Sequence, residues 1–219
     1  AEVESFSANN CEFIADDYSF NSIYEYEQLS LHNSTQKVSL INCDFKNYNM
    51  SVGGSLDTLL VDKSNFDGRL FSYGISGYAE IKNSSFLNST GNAITISGMG
   101  TSLLENVLVR NSNTNGINNS SKNVNIKYSY IEDNGSVGIW NSSTISNLKL
   151  ENTSISRNGQ EGVLNSGYLF LNYVNVNDNI GNGIYQDGSQ IFTRVKNSIL
   201  WNNKNNSNFS QIYIDNQSN

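Results

Sequence analysis

The side chains best suited to chemistry are carboxylates and arginines that recur at one phase of a repeated segment: Asp67, Arg110, Glu132, Asp133, Arg157 and Asp178. Cleaving a polysaccharide by hydrolysis or elimination requires carboxylates gathered with a base or an arginine beside them. Asp133, Arg157 and Asp178 are the candidate catalytic set on that ground. Their alternating sign also fits a ladder of ion pairs in which no group is catalytic. A second acidic group, Asp16, Asp17, Glu25 and Glu27, lies among the aromatic residues Tyr18, Phe20, Tyr24 and Tyr26. Acids and aromatics on one loop suit a sugar or cation site, and also suit a cap over an open end. The single histidine, His32, has no Cys or second His near it, so neither a zinc site nor a Ser-His-Asp set is readable. No glycine-rich phosphate loop occurs. No cofactor and no metal are expected, and the balance favours a protein that is not an enzyme.

The frame that must position these residues is bounded by composition. Thirteen Lys and Arg stand against 20 Asp and Glu, a net charge of −7, which lacks the basic footprint that phosphate neutralisation requires. Nucleic acid is not an expected partner. No run approaches the roughly 18 to 20 apolar residues of a membrane span. With 38 Asn and 33 Ser the chain is rich in poor helix formers, which excludes a helical bundle. Its 12 Tyr and 10 Phe, with many Ile and Val, argue against disorder.

Those apolar residues repeat. Six-residue segments with an apolar residue at each end recur as LINCDF (40–45), VDKSNF (61–66), IKNSSF (81–86), LENVLV (104–109), IKYSYI (126–131), LENTSI (150–155), LNYVNV (171–176) and VKNSIL (195–200). A small residue before an apolar one marks the other half of six units: Gly74-Ile75, Ala93-Ile94, Gly116-Ile117, Gly138-Ile139, Gly162-Val163 and Gly183-Ile184. Units of roughly 22 residues, reading strand, turn, strand, turn, cannot bury an apolar face alone; stacked in register they share one core. The expected fold is an all-β parallel β-helix, a solenoid of about 8–9 coils. The third position of the segment carries Asn42, Asn83, Asn106, Asn152 and Asn197, read as a structural ladder of stacked amides. Asn134, Asn158 and Asn179 form a second such set. The absence of proline agrees, because every backbone donor is needed by the neighbouring coil.

Units such as IKNSSFLNSTGNAITI, IKYSYIEDNGSVGIWN, LENTSISRNGQEGVLN and LNYVNVNDNIGNGIYQ resemble the right-handed parallel β-helix repeats of the pectin-lyase-like superfamily, over roughly residues 38 to 200. That superfamily includes polysaccharide lyases, phage tailspikes and surface adhesins, so the resemblance implies the fold and its right hand and leaves the activity open.

The expected organisation is one domain over 1–219: a long first coil or cap over 1–39 carrying the aromatic–acidic insertion, regular coils over 40–201, and a polar cap or tail over 202–219. An early copy of the segment aligns Cys11 with Cys43 in adjacent coils, where either a disulfide or two stacked free thiols would fit. Trp140, Leu164 and Tyr185 share one place in three consecutive coils. Alternation turns them outward as an apolar stripe if Ile139, Val163 and Ile184 point inward, and into the core if a bend reverses the phase. With Tyr18, Tyr24 and Tyr26 they are the candidate glycan- or partner-binding residues. Twelve Asn-x-Ser/Thr sequons occur. Asn33, Asn49, Asn88, Asn119, Asn141 and Asn208 are the candidate glycosylation sites, whereas Asn83 and Asn152, in the ladder, are expected to be buried. The resulting expectation is an extracellular or a cell- or virion-surface protein, an adhesin, spike or filament subunit. It would present a rigid β-helix for self-association through its ends or lateral stripe, or for glycan binding. A polysaccharide lyase or hydrolase built on Asp133, Arg157 and Asp178, or on Asp16, Asp17, Glu25 and Glu27, is the alternative.

Overall fold

Each coil is three short strands joined by two corners and a loop: Thr58–Asp62, Asn65–Asp67 and Leu70–Ile75 form one, and Tyr78–Lys82 begins the next. The computed structural model describes residues 5–14, 28–31, 36–54, 56–187, 192–204 and 211–215. Stacked coils give three parallel faces. The second face is a nine-stranded sheet running from Glu12–Ile14 to Ile199–Trp201. The first and third faces merge into one 16-stranded sheet, because Ile94–Glu105 and Ile117–Lys127 run unbroken from the third face onto the first. The expected strand-turn-strand-turn unit thus has a third strand.

The recurring hexamer is a corner, with the end of a first-face strand before it and a second-face strand after it. Its third residue is left-handed in every coil described: Asn10, Asn42, Lys63, Asn83, Asn106, Tyr128, Asn152, Tyr173 and Asn197 all have φ between 47° and 56°. Asparagine tolerates this conformation better than other residues with a Cβ, so the five expected ladder asparagines are there first for backbone geometry. They are exposed, and Asn83 and Asn152 are therefore not the buried residues the sequence suggested. Amide stacking at this corner is partial. Asn42 Nδ2 donates to Asn10 Oδ1 at 2.5 Å and Asn106 Nδ2 to Asn83 Oδ1 at 2.9 Å. Asn83 and Asn197 donate instead to Asp62 (2.8 Å) and Asn172 (3.0 Å).

The residue after the left-handed one faces the core, and where it is Ser, Thr or Cys, rather than Val107 or Val174, its side chain donates back to the carbonyl two positions earlier. Ser64 Oγ reaches Asp62 O at 3.0 Å, Ser129 reaches Lys127 O at 2.7 Å and Thr153 reaches Glu151 O at 2.9 Å. Cys11 and Cys43 occupy this same column and make the same contact through sulfur, to Asn9 O and Ile41 O, each at 3.4 Å. The thiols are free, so the disulfide alternative is not realised: they stand in for a hydroxyl that closes the corner. Burial pushes the Cys43 thiol pKa up, as expected for a thiol that stays protonated.

Core packing is by columns. Phe13, Phe45, Phe66 and Phe86 stack nearly parallel, with centroids 4.6, 4.4 and 4.6 Å apart, and Val109, Ile131, Ile155 and Val176 continue the column. Two fully buried amide ladders run beside it. One is Asn134–Asn158–Asn179–Asn203, with steps of 2.9, 2.9 and 2.8 Å. The other, Asn119–Asn141–Asn165–Gln186, has steps of 2.6, 2.5 and 2.7 Å and lies inward on the third face, where Asn119 and Asn141 stand out in the sequence only as sequons.

Buried and exposed asparagines should therefore respond differently to truncation. Asn141→Ala strands a donor and an acceptor inside the core and should cost about 2–4 kcal/mol in urea denaturation. Asn83→Ala, losing only left-handed tolerance and two exposed bonds, should cost about 1–2 kcal/mol. Equal losses at both positions would contradict these two roles.

Candidate functional site

The acidic edge forms where the second face turns toward the third. Arg110, Glu132 and Ser156 are paired end residues of adjacent second-face strands, and Asp133 and Arg157 are the left-handed residues that follow. Arg157 binds Asp133 through Nε–Oδ1 at 2.7 Å and Nη2–Oδ2 at 2.9 Å, and its Nη2 also reaches Glu132 Oε2 at 2.5 Å. From the other side Arg110 Nε donates to Glu132 Oε1 at 3.0 Å. Glu132 is the most buried of the four, and it is the carboxylate held between two guanidiniums. Sequence alone placed it on this edge and did not single it out.

Of the candidate catalytic set, Asp133 and Arg157 meet, and Asp178 does not join them. Asp178 accepts from the amides of Asn202 and Asn177 (the latter at 2.6 Å), which hold its pKa below the usual carboxylate value. The guanidinium of Arg157 does the same for Asp133, and the two carboxylates hold Arg157 firmly charged. A general base works best with a pKa near the operating pH, and these shifts run the other way. The arrangement is a two-arginine, two-carboxylate clasp across three coils.

The apolar stripe is resolved by register. Ile139, Val163 and Ile184 pair along the third face and are fully buried. Their neighbours Trp140, Leu164 and Tyr185 therefore point outward, also in register. Trp140 is 37% exposed, Leu164 and Tyr185 are half-buried. The row gains a fourth member, Tyr213, whose ring stacks on Tyr185 at 5.1 Å.

A separate set of exposed aromatics, Tyr128, Tyr130 and Tyr173, lies at the corner between the first and second faces. Tyr128 and Tyr173 take the left-handed position that asparagine fills in six coils, at about 1–2 kcal/mol of backbone strain each. The signal was present in the sequence, since both are the third residue of a hexamer, IKYSYI and LNYVNV.

Among the candidate glycosylation sites, Asn88 is exposed. Asn49, Asn119 and Asn141 are buried, the last two inside the amide ladder, so the folded chain leaves no room for a glycan on them. Tyr18, Tyr24 and Tyr26, the acids Asp16, Asp17, Glu25 and Glu27, His32, Asn33 and Asn208 lie outside the described residues. Among the described residues no group of three or more His, Cys, Asp or Glu side chains gathers to hold a metal ion, and no helix is long and apolar enough to cross a membrane.

Three parallel faces, corners in phase and axial side-chain columns define a parallel β-helix. Residues 70–219 match the family described as the right-handed β-helix region, and the chain belongs to that family. No curated protein and no solved structure matches it.

The clasp sets an acid response. Because the folded pKa of Asp133 is depressed, its contribution is complete above the unfolded value of about 3.9 and is lost as pH falls through the lower folded value. Melting temperature should therefore drop below about pH 4. Asp133→Asn, less stable at neutral pH, should show a shallower drop; parallel curves for the two proteins would refute the assignment.

Proposed function

We propose that the chain is a non-enzymatic, extracellular surface protein whose β-helix holds a glycan-binding row rigid. The observation that carries this reading is the outward row Trp140–Leu164–Tyr185–Tyr213, in register over four coils. At about 4.8 Å per coil it extends roughly 14 Å, enough for a short oligosaccharide to lie along the axis. Aromatic faces suit the apolar faces of sugar rings, and an exposed row of this kind marks a contact site. Rigidity comes from behind. In the strands that carry Trp140, Leu164 and Tyr185, the residues on either side of the row are the buried Ile139–Val163–Ile184 column and the Asn141–Asn165–Gln186 ladder, which fix the backbone that carries it. The chain is rich in Asn and Ser and low in charge, as suits an exported β-helix.

Polysaccharide cleavage at the Asp133–Arg157 edge is the less favoured function, because both carboxylates and both guanidiniums of the clasp are committed to one another.

A panel of immobilised glycans tests the proposal. The wild-type chain should be retained by at least one of them, and Trp140→Ala should weaken retention tenfold or more with an unchanged thermal melt. Retention of none, or equal retention of both proteins, would sink it.

A further inference from the structure

The corner between the first and second faces carries a column whose side chains alternate along the axis. Asn106, Tyr128, Asn152, Tyr173 and Asn197 each follow the last residue of a first-face strand, and those last residues pair in register. Tyr128 and Tyr173 are 52% and 58% exposed, and Tyr130, beside Tyr128, is 57% exposed. Folding disfavours tyrosine at these left-handed positions, and their exposed rings are available for a contact outside the chain. The column is a ridge with a gap at every second coil, the tyrosines standing about 9.6 Å apart with Asn152 between them.

Such a ridge fits a copy of itself turned end for end and displaced by one coil. We propose that this corner is a two-fold interface joining two copies of the chain side by side and antiparallel. With the axis passing between Tyr128 and Asn152, Tyr128 of each copy seats over Asn152 of the other, and Tyr173 over Asn106. Charge agrees with that placement. The strand-end residues Lys127 and Glu151, 3.9 Å apart within one chain, flank the same axis, so each faces its opposite in the second copy. At the rim the operation brings Lys82 toward Lys196, and Lys82 is already neutralised by Glu80 at 2.5 Å and Glu105 at 3.7 Å. Three tyrosines a little over half exposed offer on the order of 100 Å² each. That is well below the roughly 800 Å² per partner of a standard interface, so the association is weak and concentration-dependent.

Sedimentation velocity on the full chain over a wide concentration range tests this. The wild type should move from a species near 24.3 kDa toward twice that mass. The double variant Tyr128→Asn with Tyr173→Asn should stay monomeric, and should melt higher by roughly 2–5 °C because both corners then hold the residue that favours their conformation. The higher melt separates loss of the interface from loss of the fold. Lys127→Glu should also split the pair, and adding Glu151→Lys should restore it, since opposite charges again face across the axis. Trp140→Ala should leave the association intact. A wild type that is monomeric throughout, tyrosine variants that associate like the wild type, or a tyrosine ridge that binds a soluble oligosaccharide while the chain stays monomeric would each overturn the proposal.

Discussion

Everything in this molecule follows from a corner that has to turn left-handed. A coil of 20 to 24 residues closes only if the chain bends sharply between its faces, and here the bend is a single residue with φ near +50° repeated in every coil described. An L-residue with a side chain resists that conformation, asparagine least. The corner explains the composition, the phase of the repeat and the distance between equivalent residues. Once the corners are in phase the strands between them are parallel and in register, and like side chains stack on like.

Stacking then gives asparagine a second role that sequence does not distinguish from the first. At the corner its backbone matters and its amide is exposed. Inside the coil, in the runs from Asn134 and from Asn119, the amide matters, because each one satisfies the next along the axis where no strand or water could. Both kinds recur with the same period, so Asn42, Asn83, Asn106, Asn152 and Asn197 are legible as a column, whereas the exposure of Asn83 and Asn152 on its corner is not. The Asn119 ladder was hidden for a related reason: inward polar residues break the apolar alternation by which a third-face strand would be recognised.

Legibility elsewhere followed the strength of the pattern. Repeat length and parallel stacking could be read because apolar positions one unit apart are equivalent. Once Ile139, Val163 and Ile184 are inside, period-2 alternation places Trp140, Leu164 and Tyr185 outside. That each coil has three strands was not readable, since the hexamer spans the corner between the first- and second-face strands and reads as one segment. Side-chain pairing at the acidic edge was beyond the sequence as well. Phase puts Asp133, Arg157 and Asp178 on one edge, but side-chain reach decides that Arg157 closes on Glu132 and Asp133 while Asp178 is taken by amides.

The direction of the hydrogen bonds has a mechanical side. All inter-coil bonds run along the long axis, so a pull on the two ends of the body meets the coil interfaces in series, and the weakest yields while the others still hold. Each coil that peels away releases about 22 residues, or roughly 70 Å of extended chain. The body would lengthen in repeated steps of that size, absorbing work over many small ruptures. The Arg110–Glu132–Arg157 clasp, which ties three coils through side chains, would be a stop partway along the sequence of failures.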